Sequence, residues 1–193
     1  MPRNMNLTIG IAIIALIIGA LSGAYYSKVL DGEIDVEDQE LQEEYFYPVY
    51  GADRQAEKTI VNFYIKLSED LTLKEKLKII ADKLSRFKFD HLPIEVVKIK
   101  KNKQDIAIIN LCEHEWNRSQ DGSDELRGIS WRSHYFQGSA GGMITSETLI
   151  RTFLQRDYNG DWVDGVKFLY EGREITQEMT QHIHLSGIKD RKE

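Results

Sequence analysis

From Asn4 to Ser27 the chain carries no charged side chain, and Leu7 to Leu21 reads LTIGIAIIALIIGAL. A helix needs about 20 apolar residues to cross a hydrocarbon core, so this run is long enough to span one. Tyr25 and Tyr26 stand at its end, where amphipathic rings settle among headgroups. A retained signal anchor is the preferred reading. A cleaved secretory signal peptide competes with it, because Ser22-Gly23-Ala24 offers small residues at the spacing a signal peptidase uses. Against cleavage, the run is longer than an ordinary signal-peptide core. No cysteine stands at the end of the run, which excludes a lipoprotein signal. Arg3 and the amino terminus flank one side, so the N-terminus is expected in the cytoplasm and everything after Lys28 outside it. Gly19 and Gly23 form a GxxxG pair that lets two helices approach closely, though small residues are common in membrane helices without that role.

Charge is distributed in blocks. The net −6 divides into +2 for residues 1–30, −9 for residues 31–57 and +1 for residues 58–193. A segment of one sign with no sustained period cannot offset its ordering entropy, so 31–57 reads as an extended, self-repelling linker. Tyr45, Phe46, Tyr47 and Tyr50 near its end are the exception. Docking against the domain is their ordinary explanation; a partner site or a carbohydrate platform is the alternative. The nearly neutral body excludes blanket binding to nucleic acid, which needs an excess of Lys and Arg.

The chain's 193 residues, 41% hydrophobic with one cysteine, leave room for one ordinary domain after the tether and for no internal disulfide. Three divisions follow: an anchor at 1–30, a linker at 31–57 and a folded domain at 58–193. Thr59 to Leu67 (TIVNFYIKL) has the content of a strand, and its broken alternation suggests burial on both faces. Thr72-Leu-Lys-Glu75 matches a capping box. Behind it Leu73, Leu77, Ile80, Leu84 and Phe87 recur at helical spacing, with Lys74, Lys76, Lys78 and Lys83 on the wet side. Ile94–Lys100 and Asp105–Cys112 form a hairpin about a polar turn, and Glu113 to Gly128 reads as a loop. Ile129–Phe136 is expected as an irregular edge strand. Ser139-Ala-Gly-Gly142 leads into a second helix that ends before Asn159-Gly160, and Trp162–Tyr170 is the last clear strand. The tail Ile175 to Ile188 adds an edge strand or a short helix. The expected fold is α+β: a mixed or antiparallel sheet in β-α-β-β-α-β order, two helices on one face, preceded by a single transmembrane helix.

Candidate chemistry is sparse. Cys112, His114, His182 and His184 are residue types that zinc accepts, but their spacing matches no usual metal signature, and surface histidines explain them equally well. Ser139-Ala-Gly-Gly142 before a helix resembles an anion cradle, yet it lacks the Gly-Lys end of a phosphate loop, and capping by Ser139 or Thr145 accounts for it as readily. Trp116, Trp131 and Trp162 read as core or loop anchors rather than a sugar platform, and Trp116 in a polar loop is the best sugar candidate of the three. No catalytic, cofactor-binding or metal-binding residue is assigned.

Phe136-Gln-Gly-Ser-Ala-Gly-Gly142, Thr148–Leu154 and Val163–Gly172, with Val163, Val166, Phe168 and Gly172 in the pattern V-x-x-V-x-F-x-x-x-G, resemble the GerMN domain of sporulation and spore germination. Val61–Tyr64 resembles that family's opening strand, and Ile106–Leu111 its second hairpin strand; the resemblance covers most of 58–188. It implies a non-enzymatic, extracytoplasmic envelope domain, similar to the ring-building domains of sporulation membrane complexes. It carries over no functional residue. The family's frequent lipoprotein cysteine is missing here, and residues 113–135 do not align with it. The function expected is a membrane-anchored interaction or scaffold protein of the bacterial cell envelope. Its expected partners are the membrane, envelope proteins or further copies of itself, with peptidoglycan as another, and no nucleic acid. A cell-wall-directed metal-dependent hydrolase using Cys112, His114, His182 and His184, and a ligand-binding sensor, are the alternatives.

Overall fold

The structure is a computed structural model, and it describes residues 44–53, 55, 57–118, 126–176 and 182–192. The chain divides into two units, Met1–Gln42 and Glu43–Glu193. All described residues belong to the second. The segment expected to span a membrane, 4–27, lies outside them, as do the GxxxG pair and most of the linker.

Strands β1 (Glu44–Ala52) and β2 (Thr59–Ser68) pair antiparallel as a two-stranded ribbon. Helix α1 (Leu73–Lys88) follows. Strands β3 (Ile94–Lys101) and β4 (Asp105–Leu111) form the expected hairpin, with a bulge between Val96 and Lys98. A 3-10 turn at Glu115–Asn117 and a π-helical turn at Trp131–Tyr135 lead to helix α2 (Ser139–Leu154). Strand β5 (Gly165–Tyr170) pairs parallel to β4, and the short strands β6 (Arg173–Glu174) and β7 (Ile188–Asp190) pair antiparallel with β5.

The expected architecture is therefore corrected. The domain is a mixed α/β fold with two sheets rather than one sheet with two helices on one face. Among the described residues no helix is long and apolar enough to cross a membrane. Helix α2 contacts β5 and also β1, so the second sheet lies against a helix expected to have one sheet only. Its buried set, from Gly142 to Leu154, includes Thr145, Thr148, Leu149, Thr152 and Phe153, more than one amphipathic stripe would give. Residues 44–52, expected within an acidic linker, are strand because Tyr47 and Val49 are buried against that helix layer. The expected edge strand at 129–136 is instead the π-helical turn.

Local chemistry explains the boundaries. The Thr72 hydroxyl accepts from the Glu75 amide, and the Glu75 carboxylate accepts from the Thr72 amide at 2.9 Å, closing the capping box. Leu77, Ile80 and Leu84 are fully buried, each contributing about 1.5–3 kcal/mol of transfer free energy. Phe87 is exposed, whereas Lys76, expected on the wet side, is buried. Gly138 is the N-cap of helix α2, and no side chain caps that end. Glu171 and Gly172 both have positive φ, the geometry a two-residue hairpin turn between β5 and β6 demands.

Candidate interaction surface

The ribbon has two unlike faces. Toward the core it presents Tyr47, Val49, Ile65 and Leu67, all buried. Toward solvent it presents Phe46, 65% exposed, and Tyr64, 60% exposed. Phe46 stands cross-strand from Lys66, and Pro48 from Tyr64, so the apolar row is interrupted by one positive charge. The broken alternation of β2, expected to mean burial on both faces, instead reflects an irregular register, in which Asn62 is passed over between the pairs Val49–Phe63 and Tyr50–Val61.

The two edges of the ribbon are treated differently. Pro48 lacks an N–H, its carbonyl accepts from Gln155 Nε2 at 2.9 Å, and the Tyr50 amide donates to Thr152 Oγ1 at 3.1 Å. The outer edge of β1 is thus closed by the C-terminal turn of α2. Because Phe46 and Pro48 share the phase of Tyr50, their partners Lys66 and Tyr64 direct N–H and C=O groups away from β1. Among the described residues β2 pairs with β1 alone.

A cleft of about 970 Å³ opens beside the ribbon, lined among others by Tyr45, Tyr158, Trp162, Glu69, Lys76 and Asp161. Its aromatic wall is a packed cluster: Tyr45 meets Tyr158 edge-on at 5.8 Å, and Tyr47 stacks on Trp162 at 5.2 Å. Tyr47 and Tyr50 of the expected aromatic cluster are docked into the domain, while Tyr45 and Phe46 reach solvent. The Tyr47 hydroxyl is buried without a hydrogen-bond partner among the described residues. Burial raises its pKa first, helped by the Tyr158 phenol, which lies close without meeting hydrogen-bond geometry.

The residues considered for metal are not brought together. Cys112 is buried at the end of β4, where burial, reinforced by the nearby Glu95 carboxylate, pushes its thiol up to about 12. His114 stacks on Trp116 at 4.3 Å. His182 and His184 dock on the first turns of α2: the His184 amide donates to Ser146 Oγ at 2.8 Å, and a Cβ at Gly142 would lie 2.4 Å from the His182 carbonyl oxygen. The small residues of Ser139–Gly142 thus admit the C-terminal segment. Among the described residues no three His, Cys, Asp or Glu side chains are grouped to hold a metal ion. Trp116 is 60% exposed, whereas Trp131 and Trp162 are buried.

The expected loop also holds a residue that composition hides. Glu113 is 1% exposed and accepts from the Trp131 amide at 3.2 Å, the Arg132 amide at 3.3 Å and the Tyr170 hydroxyl at 2.9 Å. Desolvation, then the Glu113 charge, holds the Tyr170 phenol well above its ordinary pKa. This carboxylate clamps the π-helical turn to β5, a structural use of the charge.

No family model matches the chain, and no curated protein or solved structure matches it significantly. The resemblance to the GerMN domain rests on its motif residues.

Proposed function

We propose that the chain is a non-enzymatic interaction domain of a bacterial cell envelope, attached to the membrane through its uncharged segment with the folded domain outside the cytoplasm. The observation that carries this reading is the solvent face of the ribbon. Phe46 and Tyr64 lie on one exposed face beside a strand edge with outward backbone groups. Folded domains normally blunt such edges and break up such patches, and retained ones mark association surfaces. Envelope proteins or further copies of the chain are the partners. The GerMN-like motifs support a role in sporulation or germination. The aromatic cleft favours one second reading, contact with wall glycan through Tyr45 and Tyr158.

Chemical crosslinking of the full chain in its own membranes tests the first reading. Crosslinked species should form, and Phe46→Lys with Tyr64→Lys should diminish them while leaving the domain folded. Undiminished crosslinking in that variant would overturn the assignment of this face.

A further inference from the structure

Four chain segments converge on the cleft beside the ribbon: the residue after β2, the first turns of α1, the tip of the β3–β4 hairpin and the turn after α2. Its charges are sorted by depth. Glu69, Asp157 and Asp161 are exposed and Asp105 is half-buried, whereas Lys76 is only 7% exposed. Among the described residues the Lys76 ammonium makes no hydrogen bond and no ion pair, so none of those carboxylates reaches it.

Lys76 is also poorly placed for its own helix. It is the fourth residue of α1, whose N-cap is Thr72, and so sits near the positive end of the helix dipole. The one acid of that turn, Glu75, is folded back onto Thr72 by the capping box. A buried cation without a counter-charge costs free energy anywhere, and here the dipole adds to the cost. An anionic group in the cleft would relieve both.

The rest of the lining disfavours a ligand that is only an anion. Four carboxylates share the cleft with two ammonium groups, Lys76 and Lys101, so a purely negative ligand would meet net repulsion. Glu69 shares a wall with the aromatic cluster. Burial and the Tyr158 phenol, then the Glu69 charge, raise the pKa of Tyr47, which stacks on Trp162. Carboxylates beside aromatic rings suit an ammonium group. Leu71 and Leu73 add apolar surface.

We propose that this cleft binds a small zwitterion with an apolar side chain, an amino acid or a short peptide. Its carboxylate pairs with Lys76 at the N-terminus of α1, and its ammonium lies among the exposed carboxylates and the Tyr158 ring. At about 970 Å³ the cleft is at the upper end of small-molecule sites, with room for either source. The site uses neither Phe46 nor Tyr64 and does not depend on the ribbon being an association surface.

Calorimetric titration of the full chain in detergent tests this, with leucine, leucylleucine, N-acetylleucine, leucinamide and N-acetylglucosamine as probes. Leucine or leucylleucine should bind saturably at one site. A response to leucine alone identifies free amino acids as the source, and to leucylleucine alone a peptide. N-acetylleucine lacks the ammonium and leucinamide the carboxylate, and each should bind about tenfold or more weaker. Lys76→Met should weaken binding by a similar factor. Without ligand that variant should raise the midpoint of thermal unfolding, because an unpaired buried charge is replaced by an apolar chain of similar volume. Undiminished binding of leucinamide would make the cleft a cation site, undiminished binding of N-acetylleucine an anion site, and binding of N-acetylglucosamine alone a glycan site. Each of these overturns the proposal, as does no binding by any probe, undiminished binding in Lys76→Met, or a midpoint that fails to rise in that variant.

Discussion

The Trp131 indole donates to the Cys112 carbonyl at 2.9 Å, tying the π-helical turn to the end of β4. Beside it, Glu113 accepts from the first two amides of that turn and from Tyr170. One buried carboxylate and one buried indole thus tie down a segment that, among the described residues, pairs with neither sheet.

Removing the carboxylate should cost more than removing one donor. Tyr170→Phe deletes a single hydrogen bond to a charged acceptor and should cost about 1.5–3 kcal/mol. Glu113→Ala leaves two amides and a hydroxyl without their acceptor and should cost at least as much as the larger figure. Urea unfolding of both variants checks the order. Equal, small losses would show that the clamp is solvated.

The Cys112 thiol should be silent in the native protein. Its pKa is pushed from 9.0 to about 12, so little thiolate exists at neutral or mildly alkaline pH. A thiol reagent should label it only on unfolding. Linkage gives the stability trend. The folded state keeps this proton where the unfolded chain loses it, so the stabilisation is whole below about 9 and declines as pH rises toward about 12. Burial raises Tyr47, Tyr135 and Tyr170 as well, which steepens the alkaline loss. Midpoints of thermal unfolding measured across that range should fall.

Strand β1 should be part of the folding unit. Tyr47 is 1% exposed and packs on Tyr158 and Trp162. Tyr47→Ala should cost about 3–5 kcal/mol, the range for large aromatic truncations in cores. A fragment of residues 58–193 lacks Tyr47, Val49 and Tyr50 and should unfold at much lower urea than residues 44–193. Equal midpoints would place β1 outside the cooperative unit.

Local signals were readable where one residue type settles one local problem. The Thr72–Glu75 capping box and the Leu77, Ile80, Leu84 spacing announce α1, and the polar turn between Lys100 and Asp105 announces the hairpin. Pairing between distant segments left no such mark. The parallel register of Ile106 with Gly165 depends on where α2 packs, which no short window encodes. Counting acids across residues 31–57 hid the change at Glu44, after which aromatic residues outnumber charges and a strand begins. The burial of Lys76 is not legible from helical spacing alone, which does not register the cleft that Lys76 lines together with Leu71 and Trp162. Strand β2 has a visible signal of its own: TIVNFYIKLS is strand-prone with one charge, but only its pairing with the distant β1 determines which of its side chains stay exposed.

The most direct measurement is site-specific photo-crosslinking in the native membrane. A photoreactive residue at Phe46, on the ribbon face, should yield a discrete protein adduct. The same residue at Val97, also open to solvent on β3, at 45% against 65% for Phe46, should yield little. No adduct at Phe46, or equal yields at both positions, would contradict the assignment of the ribbon as the surface through which this protein works.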